Sequence, residues 1–122
     1  MRSIMLSLVA VLCMALPAAA QDPVKVDPAH HKVEFENDQV RVLRVTIAPG
    51  EKTPVHDHPN FVGVFLNDFK SRVTPVGGKA DETPRKAGEV ASLPAVKHVV
   101  ENRGTTKAEI IVVELKGKPA TK

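Results

Sequence analysis

From residue 32 onward, apolar and polar side chains alternate with a period of two, and glycine and proline interrupt the alternation at short intervals. Side chains two apart share one face of a strand, so this pattern commits the chain to short half-buried strands. "KVEFE" places Val33 and Phe35 on one face. "QVRVLRVTIA" sets Leu43, Val45 and Ile47 against Val40, Val42, Arg44 and Thr46, with β-branched residues dominant. That strand is apolar on both sides in its middle, which predicts burial between two sheets or at a subunit contact. Pro49-Gly50 ends it. "FVGVFL" (61–66), "SRVTPV" (71–76), "DETPRK" (81–86), "EVASL" (89–93), "KHVVEN" (97–102) and "AEIIVVEL" (108–115) follow. Gly77-Gly78 reads as a two-residue hairpin, and Ala87-Gly88 and Arg103-Gly104 as further turns. No segment after residue 20 carries a helical period. About seven to nine short strands at near-regular spacing predict an all-β sandwich or barrel.

The first twenty residues stand apart. "MRSIMLSLVAVLCMALPAAA" has Arg2 as its only charge, an apolar run from Ile4 to Leu16, and small residues Ala18 to Ala20. This is the pattern of a secretory signal cleaved before Gln21. The run is shorter than the roughly 20 residues a membrane span needs, and it stops at Pro17. Leu12 before Cys13 does not fit a lipidation site. Cys13, the one cysteine of the chain, leaves with the signal, so the exported domain folds without disulfides. The expected division is signal 1–20, a proline-rich arm 21–31, a single β domain 32–117 and a tail 118–122. The expected location is periplasmic or secreted, with no membrane association after cleavage. Removing Arg2 from 17 basic residues leaves 16 against 14 acidic ones, a formal charge of +2. The charges are interspersed and no aromatic ladder accompanies them, which argues against a nucleic-acid partner.

"GEKTPVHDHPN" (50–60) carries the chemistry. His56 and His58 alternate onto one face of a strand and can share an ion. His98 falls mid-strand in a later segment able to lie beside the first. Three imidazoles converging from two strands leave coordination positions open for water or substrate. Asp57 points to the other face. Asn60 is a weaker fourth-ligand candidate, with Pro59 beside it able to break the strand. Asn102 suits a turn or a supporting hydrogen bond. His30 and His31, in the arm, read as a solvated pair. Phe61 and Phe65 share a face and read as core or as the wall of a small apolar cavity. Arg41 and Arg44 are candidates for holding a substrate carboxylate.

Gly50 stands six positions before His56, Gly88 six before Pro94, and Asn102 follows His98 by four. In these motifs, "GEKTPVHDHPNFVGVFL" and "GEVASLPAVKHVVEN", the chain resembles the cupin superfamily. It looks most like the small single-domain bacterial cupins with "VEFEN…VRVLR…PGEK…HxHP" and a terminal "VVELK". The resemblance implies a single-domain cupin-type jelly-roll β-barrel, a homodimer, and a divalent metal held by His56, His58 and His98. Iron, zinc, manganese, nickel and copper all suit imidazole. The chain departs from the motif where the family places a glutamate ligand, because Val62 or Gly63 occupies that position. Pro94-Ala95-Val96 also replaces a Pro-x-Gly piece, and His98 comes one residue early. Without a carboxylate, three neutral imidazoles leave a divalent ion at full charge, which favours an anionic co-ligand. The implied function is metal-dependent oxygenase or isomerase chemistry on a small organic acid or diketone. The alternative is a non-catalytic module that binds a small ligand or a metal. No residue in the sequence marks itself as a general acid or base.

Overall fold

The structure, a computed structural model, describes residues 21–117; the expected signal and tail lie outside them. The chain begins with one helical turn, α1 (Pro23–Val26), whose start is capped by the Asp22 side chain accepting from Val24 N–H. Four residues are too few to show a period, so the turn is invisible to hydrophobic patterning. Nine strands follow: β1 (His31–Glu36), β2 (Val40–Ile47), β3 (His56–His58), β4 (Phe61–Phe65), β5 (Phe69–Pro75), β6 (Asp81–Arg85), β7 (Val90–Leu93), β8 (Val96–Asn102) and β9 (Ala108–Leu115).

They form two antiparallel sheets, one ordered β1-β2-β9-β4-β7 and the other β3-β8-β5-β6. This two-sheet arrangement is the all-β architecture that the alternation predicts and the jelly roll that the resemblance implies. The inward faces make the core. Leu43, Val45 and Ile47 from β2 meet Ala108, Ile110 and Val112 from β9 and Phe61 and Phe65 from β4, all nearly free of solvent. The other face of β2 (Val40, Val42, Arg44, Thr46) is half-buried. It forms the outside of its sheet rather than a layer between two. Pro84 is tolerated in β6 because β6 is an edge strand, where one side of the ladder has no partner to satisfy.

Two local expectations are corrected. A bulge lies between Val33 and Phe35: Val33 pairs with Leu43, but Phe35 pairs with Val42. The extra residue reverses the alternation, so the two side chains lie on opposite faces. The Gly77-Gly78 connection is also longer than a two-residue hairpin. Thr74 and Pro75 leave β6 and pair with Val99 and His98 of β8, and the turn is made at Gly77 with φ +75°.

Candidate metal centre and cavity

The short β3 pairs with β8 so that His56 lies directly opposite His98, and Asp57 opposite Lys97. Directly opposed residues project to the same side, so His56, His58 and His98 all face the barrel interior. Their ring centroids are 4.9 Å (His56–His58), 4.8 Å (His56–His98) and 5.4 Å (His58–His98) apart. All three rings are buried.

A fourth imidazole joins them. His31 is the first residue of β1, paired with Val45 on the inward face, and is 3% exposed. Its ring lies 4.7 Å from His56 and 6.1 Å from His58. The reading of His30 and His31 as a solvated pair therefore fails: His31 turns into the barrel, and His30, 12% exposed, is bound between the Asp27 and Glu51 carboxylates. The strand begins one residue earlier than the arm's composition suggests, and that residue turns into the barrel. One ligating nitrogen from each of His31, His56 and His58 lies within 4.8 Å of the others. Tetrahedral zinc at about 2.0–2.1 Å spaces its nitrogens by roughly 3.4 Å, so a small inward movement would close these three on one ion.

The rings are oriented for this. His56 Nδ1 donates to the Pro54 carbonyl at 2.9 Å. His58 Nδ1 donates to Glu114 Oε2 at 2.7 Å. His31 Nδ1 faces the Asp27 carbonyl at 3.2 Å and its carboxylate at 3.1 Å. A neutral imidazole that donates from Nδ1 keeps a bare lone pair on Nε2, which is how a protein fixes a metal-binding tautomer. His98 Nε2 is buried without any hydrogen-bond partner. A buried nitrogen left unpaired calls for an explanation, and an ion shared with its neighbours supplies one. The protonation state agrees. Burial, then the neighbouring imidazoles, push His98 down to about 3. Burial and His56 take His31 down to about 4, and burial also lowers His56. These rings are neutral at pH 7, as ligation requires. The nitrogens of His31, His56 and His58 are thus compatible with a divalent ion, while His98 stands beside them with its ring 4.8 Å from that of His56 but outside that closest group.

Two buried carboxylates hold the set from behind. Asp27 bridges His30 and His31. Glu114 accepts from both His58 and Arg41 Nε at 2.7 Å. Burial alone would raise the Glu114 carboxyl, but these hydrogen bonds outweigh it and hold the group below the usual carboxylate range. Arg41 also reaches Asp22 at 2.9 Å, and Arg44 pairs with Glu34 on the outer face. Both arginines are thus committed within the protein. Glu114 was absent from the sequence reading, although its parity was a signal: it continues the inward series Ala108, Ile110, Val112.

The other candidates have structural roles. Asn60 is exposed and accepts from Ala95 N–H. Asn102 is fully buried and ties Ile47 and Thr106 carbonyls together. Asp57 points away from the rings and accepts from Gln21 N–H at 3.0 Å. The position of the missing glutamate is resolved as well. Gly63 lines the interior, and a Cβ there would meet the Phe65 ring at 3.8 Å and the Ala91 carbonyl oxygen at 4.0 Å, both ordinary contacts. Space therefore remains where a carboxylate ligand would stand.

That space belongs to a cavity of about 320 Å³ running through the barrel from the histidines. Its walls are mainly apolar, with Val45, Phe61, Phe65, Val100 and Val112 prominent, and Arg85, Thr83 and Asp81 stand on the β6 side.

No protein-family model matches the chain. No curated protein matches it either. Solved structures do match. A cupin domain from Bordetella pertussis Tohama I is 24% identical with a TM-score of 0.66, over 71% of this chain and 92% of that one. A conserved double-stranded β-helix protein from Klebsiella pneumoniae is 20% identical with a TM-score of 0.59, over 74% and 78%. An RmlC-like cupin from Methanocaldococcus jannaschii is 20% identical with a TM-score of 0.56, over 70% and 79%.

Proposed function

With the cupin fold as the premise, we propose that this protein is an exported, metal-binding cupin whose ion meets a small organic ligand in the barrel cavity. The observation that carries this reading is the buried imidazole cluster of His31, His56, His58 and His98, with three Nδ1 atoms held from behind and His98 Nε2 left without a partner. A bound divalent ion would supply Lewis-acid or dioxygen chemistry at positions the protein leaves free. The chain's own residues set the conditions for it. Asp27 and Glu114 fix ring orientation, the apolar walls exclude water, and the open place at Gly63 admits ligand atoms. On this reading the reaction is that of an oxygenase or isomerase acting on a small organic acid or diketone.

One observation favours a second reading, a non-catalytic binding module. Both carboxylates that touch the cluster are already engaged, Asp27 by His30 and His31 and Glu114 by His58 and Arg41. Neither is free to move a substrate proton. Homodimerisation is supported by the outer face of the five-stranded sheet, where Phe35 is 54% and Leu115 40% exposed.

Metal analysis of untagged protein tests the proposal. We expect about one equivalent of divalent metal, lost in His56→Ala and strongly reduced in His31→Ala and His98→Ala, since each removes a ligand. Wild-type protein that takes up no stoichiometric metal from zinc, iron or manganese would overturn it. Oxygen uptake by iron-loaded protein on a panel of diketones and organic acids then separates oxygenase from binder.

A further inference from the structure

The guanidinium of Arg85 is only partly used. Its Nη1 donates to Glu89 Oε1 at 2.9 Å, and its carbon lies 4.6 Å from the Phe65 ring centre, which fixes the plane of the group. Its Nε is buried and has no hydrogen-bond partner. Glu89 does not satisfy it, because that carboxylate's second oxygen accepts from Lys86 N–H. Asp81 does not either, since its Oδ2 accepts from Thr83. A guanidinium bound at Nη1 keeps its Nε/Nη2 edge, two parallel N–H donors spaced for the two oxygens of a carboxylate. Arg85 lines the same cavity as the histidines. Burying a charged donor without a partner is costly, so this edge is suited to a ligand oxyanion.

The register places it at the far end. On β5, Pro75 lies opposite His98 and Phe69 lies opposite Arg85. Six residues at about 3.3 Å each separate the two levels by roughly 20 Å along the strand. The reach of the arginine and the rings, together with strand twist, leaves a gap on the order of 10 Å. Between them the walls are apolar.

We propose that Arg85 is the carboxylate anchor of this cavity. The ligand it selects is an elongated organic acid, with the acid group on the Arg85 edge, an apolar body along Phe65, Val100 and Val112, and its other end at the histidines. This deepens the reading of the cavity as the ligand site and rests on it, but the anchor itself does not require a metal.

The test uses metal-free full-length mature protein at pH 8, with octanoate as probe and octan-1-ol as its uncharged counterpart, by titration calorimetry. Wild type is expected to bind octanoate more tightly than octanol. Arg85→Gln, on an edge strand, should weaken octanoate by about tenfold or more, as loss of a charge-assisted pair does, and leave octanol unchanged. Arg85→Lys keeps the charge without the paired edge and should recover part of the loss. Octanoate binding that is indifferent to Arg85→Gln, or no preference for octanoate over octanol in wild type, overturns the anchor. Should Arg85→Gln fail to fold, the wild-type preference and Arg85→Lys decide. Zinc content of the same preparations is read separately. A protein that binds octanoate through Arg85 yet no zinc defeats the metal reading alone, and one that binds zinc but is blind to Arg85 defeats the anchor alone.

Discussion

Removing Glu114 reaches both the fold and the cluster. It is 3% exposed and accepts two hydrogen bonds of 2.7 Å, from Arg41 Nε and His58 Nδ1. Glu114→Ala strands a mostly buried guanidinium, and breaking one side of a buried pair costs about 3–5 kcal/mol. Arg41 keeps Asp22 at 2.9 Å, which puts the expected loss at the low end, about 3 kcal/mol. Glu114→Gln retains the volume but turns one donor toward Arg41, with an expected loss of about 2 kcal/mol. The assay is urea unfolding of metal-free protein. With an m-value of about 1.5 kcal/mol/M for a domain of this size, 3 kcal/mol lowers the midpoint by about 2 M. The Arg41→Met/Glu114→Ala double variant removes both charges, and it should be more stable than the sum of the two single losses predicts. His58 loses its orienting acceptor in Glu114→Ala, so zinc affinity should fall about 10–100-fold there, whereas Glu114→Gln keeps an amide oxygen facing His58 Nδ1 and should lose less. A loss under about 1 kcal/mol, or strictly additive single and double variants, would refute the claim that this carboxylate bridges a buried cation and a ligand ring.

Three further outcomes follow from the same geometry. His31 and His98 are held at about 4 and about 3, whereas an unfolded histidine titrates near 6.5. Below about pH 6.5 the unfolded chain therefore binds more protons than the folded one, and stability falls as pH drops toward those lower values. Each ring contributes up to about 1.4 kcal/mol per pH unit, so chelator-treated protein should lose about 2–3 kcal/mol between pH 6 and 5 in denaturant titrations; a flat profile there counts against neutral buried rings. Leu43→Ala, at a position with no exposure, should cost about 2–5 kcal/mol in the same assay, and a change below about 1 kcal/mol would remove that residue from the rigid core. Intact-mass analysis of protein expressed with its leader in a bacterial host should show a chain beginning at Gln21 in the periplasmic fraction; an unprocessed cytoplasmic product would contradict the export reading.

The strands were legible because short β-branched runs between turn residues mark them, even where β2 and β9 are apolar on both faces in their middles. That His56 and His58 share a face was legible because parity is a local rule, whereas the pairing that sets His98 opposite His56 joins segments far apart in the chain and was only an expectation. What escaped depended on where the chain changes rule. His31 sits beside two prolines and an aspartate, so the composition of its neighbours masks the first residue of a strand. Phe35 was assigned to the wrong face because a bulge, which has no fixed sequence mark, inserts one residue. Arg85 lies in the polar segment "DETPR", whose exposed partners Glu82 and Pro84 hide that its odd positions turn inward. Arg41 had the inward parity all along, but only the structure shows that Glu114 and Asp22 already occupy it.

The charge balance of the interior ties these residues to one kind of ligand. Where a carboxylate ligand would have cut the ion's charge, Gly63 leaves open space. Asp27 and Glu114, the two acids behind the rings, each already face a partner, an imidazole pair in one case and Arg41 with His58 in the other. A divalent ion held by imidazoles alone keeps its full charge and favours an anionic co-ligand. At the opposite end, the free edge of Arg85 asks for an oxyanion as well. A ligand acidic at both ends and apolar between satisfies the two together, whereas a monoacid satisfies one. Suberate, with a carboxylate at each end of an eight-carbon chain, should therefore gain more affinity from zinc loading than octanoate does, and equal gains would show that the two ends do not act on one molecule.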